Sequence, residues 1–429
     1  MLHALRAFRH PHYRTYFTGQ SVSLIGTWVQ QIAISWLVYR LSGSALLLGI
    51  TGFAGQIAIL FLSPFGGIWA DRFDRCKSLI VTQLLSIVLT LILAAVVWDV
   101  KGNVGTAFSA NSSSLVWQVV IIAALLGIVQ ALETPVRSSY TPELVAVKTD
   151  LPSAIAFSGG MQNAGRMIGP TIAGLLLAYF SEAFCFVMNA ATKFWLIGSL
   201  LLIGAAPRLK SAETANVWAS IIDGARYTWS LKPLRYLLPM LALMSFAITP
   251  YQVLMPIFAA EIFAGGASML GFLVGAAGFG GLIGMGYLAS RPQIRGLMRW
   301  AAIGPGIAGV ALTIFTFSRI LWLSLACMVV LGFGVIATAM SINTIIQIVC
   351  DAEKRGRVTS YYIIAFMGVH PLGCLAAGAL ASWIGAPYAL AIFGVSCTAG
   401  AAWLFYRMPL LREYIRPLYV RAGVIQPEK

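Results

Sequence analysis

Apolar runs of about 20 residues recur along the whole chain, each ended by a short polar stretch, and a run of that length spans hydrocarbon as a helix. The pattern predicts twelve spans: 15–41, 45–70, 78–98, 116–139, 153–180, 183–205, 236–263, 268–290, 297–317, 320–349, 358–383 and 386–406. The predicted class is therefore an all-α integral membrane protein. Polar positions inside the spans follow helical spacing. In span 1, Gln20, Thr27 and Gln31 share one face, which in lipid must look into a cavity or another helix. In span 4, Glu133 and Arg137 are four residues apart and share a face. Span 5 carries Gln162, Asn163 and Arg166, then Gly165-x-x-x-Gly169-Pro170-x-x-x-Gly174, a pattern for close packing and a proline kink. Span 8 is dense in glycine, which also suits close contact.

The most informative polar stretch is Gly67-Ile68-Trp69-Ala70-Asp71-Arg72-Phe73-Asp74-Arg75-Cys76-Lys77. Five charges in the seven residues 71–77 cannot lie in hydrocarbon, so this is a tight turn at one membrane face. Three of the five are basic, which assigns that face to the cytoplasm. Gly286-x-x-Ala289-Ser290-Arg291 echoes Gly67-x-x-Ala70-Asp71-Arg72, and each follows the second span of its half. That is the mark of a duplicated bundle. The predicted organisation is a six-helix bundle over 1–206, a linker over 207–235 and a second bundle with a basic tail over 236–429. Within the linker, Val217, Trp218, Ile221, Ile222, Ala225 and Trp229 repeat at helical spacing, which predicts an amphipathic helix on the cytoplasmic surface.

The loop between spans 2 and 3 resembles the cytoplasmic loop motif of the major facilitator superfamily. Asp74 stands where that family usually has glycine, and Cys76 where it has a base, with Lys77 following at once. Within the superfamily, further segments resemble the branch that holds the enterobactin exporter and related transmembrane secretion effector proteins. They are Phe8-Arg9-His10-Pro11-His12-Tyr13-Arg14, Glu133-Thr134-Pro135-Val136-Arg137, Pro142-Glu143-Leu144-Val145, Asn163-Ala164-Gly165-Arg166-Met167-Ile168-Gly169-Pro170 and Arg355-Gly356-Arg357-Val358. The branch contains siderophore and drug exporters. Span 5 partly resembles the Gly-Pro motif of antiporters, without its final paired glycines, since Ala173 precedes Gly174.

Composition agrees with this class. The 429 residues are 59% hydrophobic and 10% charged, against about 25% charged in soluble domains. The net charge of +15 reflects basic residues in alternate loops, not a nucleic-acid surface. Arg72, Arg75, Lys77, Lys148, the linker bases, Arg291, Arg295, Arg299, Lys354, Arg355 and Arg357 fall in the predicted inner loops. Only Arg40, Lys101 and Arg319 fall in the outer ones, so both termini are expected in the cytoplasm. Cys76, Cys185, Cys327, Cys350, Cys374 and Cys397 show no paired spacing, which gives no disulfide framework or metal site. The first apolar segment is too long for a signal peptide and is expected to be retained. Asn111-Ser112-Ser113 matches a glycosylation triplet that also arises by chance.

Candidate chemistry follows from the charges. Gly67, Asp71, Arg72, Arg75, Glu133 and Arg357 are read as a cytoplasmic gate, partly on the family resemblance. Asp71 would face the positive N-terminal end of span 11, and Arg75 would pair with Glu133. The bland reading is that these residues only anchor a turn. Gln31, Gln56, Gln162, Asn163, Arg166, Lys193, Gln252, Asn343 and His370 are candidates to line a substrate cavity, and Trp28, Trp36, Tyr251, Phe279, Tyr361 and Tyr362 are aromatic candidates. Arg166, Lys193 and His370 together would favour an anionic or amphipathic substrate. Each has a rival role. Arg166 would brace Glu133 or helix-end carbonyls, Lys193 would snorkel outward, and His370 would serve the backbone freed by Pro371. His370 and Glu133 are the coupling candidates.

The expected function is secondary active export of a siderophore or similar amphipathic small molecule by alternating access, with protons as the coupling ion, in a bacterial inner membrane. Rival readings are an importer, a multidrug or lysolipid transporter and a non-transporting receptor. No phosphate-binding loop or catalytic set occurs. No enzyme activity, cofactor, metal or nucleic-acid partner is expected, and a monomer is.

Overall fold

The computed structural model describes residues 4–98, 110–145, 147–204, 225–290, 296–351 and 354–421. Every regular element among them is helical. The long helices are α1 (Pro11–Ser42), α2 (Ala45–Arg72), α3 (Arg75–Val96), α4 (Ala110–Tyr140), α5 (Leu151–Tyr179) and α6 (Glu182–Ile203). They continue as α7 (Leu234–Ile262), α8 (Gly266–Ala289), α9 (Leu297–Phe317), α10 (Leu321–Val349), α11 (Arg355–Ile384) and α12 (Ala386–Tyr406). These coincide with the twelve predicted spans. Among the described residues, eleven are long and apolar enough to cross a membrane. The twelfth, α5, has the length at 29 residues, but Gln162, Asn163 and Arg166 dilute its apolar run.

The chain forms two compact units, Met1–Ser211 with Val253–Gly278, and Ala212–Gln252 with Phe279–Lys429. In the first, α1 packs on α5 and α6, and α3 on α4 and α6. In the second, the Leu234–Ala247 part of α7 packs on α11 and α12, and α9 on α10 and α12. Each pairing in the second unit is one in the first with both helix numbers advanced by six. This repetition of helix pairs is the structural form of the internal duplication.

Local signals set the helix ends. Gly43 closes α1 at φ +57, and the Ser44 side chain accepts from the Leu47 N–H to start α2. Asp74 Oδ1 accepts from the Lys77 N–H at 3.0 Å and so caps α3. Where the resemblance leads one to expect glycine, this chain therefore uses a capping carboxylate. Close helix contacts use the glycines. A Cβ on Gly127 of α4 would lie 2.3 Å from the Gly55 carbonyl of α2, and one on Gly271 of α8 would lie 2.7 Å from the Gly174 Cα of α5.

Two helices are interrupted. The first part of α7 ends at Ala247, and the helix resumes at Tyr251 and closes in a π-turn at Phe258–Ile262. In α11 a π-turn at Ile364–Gly368 precedes His370. Ser245 of α7, fully buried, donates to the Phe366 carbonyl in that turn at 2.6 Å. A backbone acceptor left over by the irregular turn is thus satisfied by a neighbouring helix.

Most of the predicted linker helix falls in 205–224, outside the described residues; 225–230 is helical. There the Tyr227 hydroxyl donates to Asp351 Oδ2 at 2.8 Å. The expected basic tail is in part a further helix, α13 (Met408–Arg421), with Leu411, Ile415 and Tyr419 buried at a four-residue spacing. Lys232 lies over the Tyr414 ring at 4.3 Å.

Candidate functional site

The charged turn between α2 and α3 is held from inside its own unit. Arg75 Nη1 donates to Glu143 Oε1 at 2.8 Å and to the Ser139 carbonyl at 2.9 Å. The carboxylate paired with Arg75 is therefore Glu143, in the Pro142-Glu143-Leu144-Val145 segment, and not Glu133 as the sequence suggests. Glu133 sits two turns deeper in α4 and takes Arg137 at 3.2 Å instead. The i, i+4 spacing makes that local pair the cheaper one to form. Trp69 Nε1 donates to Ser78 Oγ at 2.9 Å and ties the end of α2 to α3. Arg72 is exposed and Arg357 is half-buried in the first turn of α11. Gly67 and the side chain of Asp71 lie outside the described set, and so does the expected meeting of Asp71 with α11.

The polar faces of α1 and α5 meet around Trp28. Arg166 lies over the Trp28 ring at 5.3 Å, in cation–π geometry. Gly165 and Gly169 let the Trp28 side chain lie against α5, since a Cβ on Gly169 would stand 2.3 Å from the Trp28 Cβ. Glu133 pairs with Arg137 and not with Arg166, which corrects that one of the two bracing partners offered for Arg166. Gln162 is half-buried one turn before Arg166, and the Asn163 side chain lies outside the described set. Gln31 is exposed and Gln56 half-buried.

Lys193 is not where the outward-reaching alternative puts it. It is 6% exposed, and its Nζ donates to Gln83 Oε1 of α3 at 3.3 Å. The Glu133–Arg137 pair acts on it electrostatically from α4. One turn earlier on α6, Asn189 Nδ2 donates to Gln30 Oε1 of α1, which also accepts from Thr90 Oγ1 of α3 at 3.0 Å. The amide that binds α1, α3 and α6 together is thus Gln30, next to the predicted Gln31. Apolar spacing could not separate the two, because the side of α1 facing α3 and α6 is set by packing. Arg166 looks to Trp28 and Lys193 to Gln83, so the two cations do not share one set of partners.

At the other end of α1, Arg40 grips Glu182 with two contacts, Nε–Oε1 at 2.9 Å and Nη2–Oε2 at 3.0 Å. The neighbouring Tyr39 hydroxyl donates to Glu261 Oε1 of α7. Neither acid drew attention in the sequence, because both stand at span ends.

In the second unit, His370 lies in α11 with its Nδ1 3.4 Å from Cys374 Sγ. Gln252 is half-buried beside the buried Tyr251, and Gln252 Nε2 donates to the Tyr251 hydroxyl at 3.3 Å. Tyr362 donates to the Ala339 carbonyl at 3.1 Å, and Asn343 is half-buried one turn further along α10. Among the other aromatic candidates, Trp36 is buried and Tyr361 half-buried, while Phe279 is exposed. All six cysteines are free and buried. No group of three or more metal-ligating side chains occurs among the described residues.

The paired-helix repeat and the buried charges define a membrane transporter of the major facilitator type. A peptide transporter of the POT family shares the fold at TM-score 0.71, with 12% identity over 94% of this chain and 95% of that one. A bacterial homologue of the iron transporter ferroportin does so at TM-score 0.65, with 16% identity over 92% of this chain and 98% of that one. Residues 3–415 match the family model for transmembrane secretion effectors, and the chain belongs to that family. It is 27% identical over 385 residues to the staphyloferrin A transporter of Staphylococcus aureus, covering 89% of this chain and 92% of that protein. It is 28% identical over 374 residues to the multidrug efflux pump Tap of Mycolicibacterium fortuitum, covering 84% and 87%. Family and relatives are transporters, not enzymes. The chain is accordingly a multi-pass membrane protein that moves a small molecule.

Proposed function

We propose that this protein is a secondary active exporter of a siderophore or another anionic, amphipathic small molecule, energised by proton antiport. It resides in a bacterial inner membrane as a monomer with both termini in the cytoplasm. The bundles over 1–206 and 236–429 rock about a central site, and the charged turn at Gly67, Asp71, Arg72 and Arg75, with Arg357 of the second bundle, gates the cytoplasmic side. The observation that carries the substrate class is Arg166 laid over Trp28 between α5 and α1. A guanidinium on an indole face offers charge and a flat apolar wall together, which suits an anion with an organic body. The staphyloferrin A transporter, similar over nine-tenths of the chain, supports the siderophore reading. Similarity to Tap favours drug export as the second reading.

Thermal unfolding of the purified protein separates the two. A ligand at 100 times its Kd stabilises by about 2.7 kcal/mol. Staphyloferrin A or anionic amphiphiles are expected to raise the unfolding temperature, and Arg166→Ala to abolish the rise. A response to cationic drugs alone would move the assignment to drug export.

A further inference from the structure

Lys193 is a buried cation whose hydrogen-bond partner is a neutral amide. Its Nζ touches Gln83 Oε1 at 3.3 Å, and no carboxylate lies within 4 Å of it among the described residues. Gln83 is 1% exposed, and its Nε2 has no hydrogen-bond partner among the described residues. Among the described residues, the charged groups that act on Lys193 are Glu133 and Arg137, both from α4. Glu133 and Arg137 cancel each other at 3.2 Å. The cluster therefore carries one net positive charge when Lys193 is an ammonium and none when it is an amine.

We propose that Lys193 is the residue that takes up and releases the coupling proton, with Gln83 as the reader of its state. The inference rests on the proton-antiport reading above. In the charged state the ammonium donates to Gln83 Oε1. Release passes one proton from Nζ to water, leaving a neutral amine and a hydronium ion. The amine now has a lone pair. A half-turn of the Gln83 amide brings the unpartnered Nε2 to donate to it. Nζ thereby keeps a hydrogen bond to Gln83 in both protonation states.

The change reaches the substrate-facing side through α6 and α1. Thr192, next to Lys193, meets α1 so closely that a Cβ on Gly26 would lie 2.2 Å from its hydroxyl. Asn189, one turn before Lys193, bonds Gln30 on α1. Trp28, two residues before Gln30, carries Arg166 on its face. These contacts join the Lys193 site to the cation proposed to meet substrate.

Two measurements test this. The first uses the full chain in detergent, with lysine side-chain nitrogens labelled, and needs no substrate. The signal lost in Lys193→Arg is expected to pass between its ammonium and amine positions within the pH range in which the protein stays folded, and Gln83→Leu to displace that transition. A Lys193 signal fixed in one state across that range overturns the proposal. The second uses proteoliposomes and labelled staphyloferrin A. Lys193→Met and Lys193→Arg are expected to retain counterflow exchange but to lose accumulation driven by a pH gradient. Variants that accumulate as the parent does overturn the proposal alone. A parent that exchanges substrate without responding to the gradient overturns the antiport reading, and the proposal with it.

Discussion

At the scale of single residues, burial decides which charge pairs matter. The Glu143 side chain is 4% exposed and that of Arg75 is 13% exposed. Removing one partner of such a buried pair costs roughly 3 kcal/mol. Glu143→Ala is therefore expected to lower the unfolding temperature markedly. A double-mutant cycle between Arg75→Ala and Glu143→Ala should show strong coupling, whereas Arg75→Ala with Glu133→Ala should be additive. Coupling of Arg75 to Glu133 instead would contradict the pairing described. The sequence made the ionisable residues visible but not their partners. Arg75, Glu133 and Glu143 are all in the resembling segments, yet only the packing of α3 on α4 brings Glu143 to Arg75. Gln30 and Gln31 show the same limit: adjacent amides are equivalent in sequence, and one is buried between three helices while the other is exposed. Lys193 reads as a residue long enough to reach water, and only Gln83, 110 positions away in the chain, holds it inside.

At the scale of helices, composition was a fuller guide. The apolar runs placed α1 to α12, because length and hydropathy are what a bilayer selects. The small-residue pattern of α5 and the glycines of α8 foretold close contact, and Gly174 and Gly271 do meet backbone to backbone. The π-turns in α7 and α11 were not legible, since they depend on neighbours such as Ser245 that accept or donate across helices. Helix α13 was hidden by its charge, although Leu411, Ile415 and Tyr419 carry the period. Glycine substitutions measure the close contacts. A Cβ at Gly271 meets the Pro170 carbonyl at 2.6 Å, while one at Gly198 of α6 meets nothing within 4 Å. Gly271→Val is expected to abolish stable folding or depress the unfolding temperature sharply. Gly198→Ala should instead stabilise, by about 0.5–1 kcal/mol. Equal effects at the two positions would contradict the packing.

At the scale of the whole molecule, the family membership and the repeated helix pairing make a transporter. The proposed exporter binds an anionic amphiphile near Arg166 and returns protons through Lys193. Vesicles of opposite sidedness test this most directly. Everted and right-side-out membrane vesicles holding the protein are given labelled staphyloferrin A with an imposed pH gradient, acidic inside the everted vesicles. Accumulation in everted vesicles that collapses with the gradient, and none in right-side-out vesicles, is the predicted result. Gradient-driven accumulation in right-side-out vesicles alone would make the protein an importer and contradict the central claim.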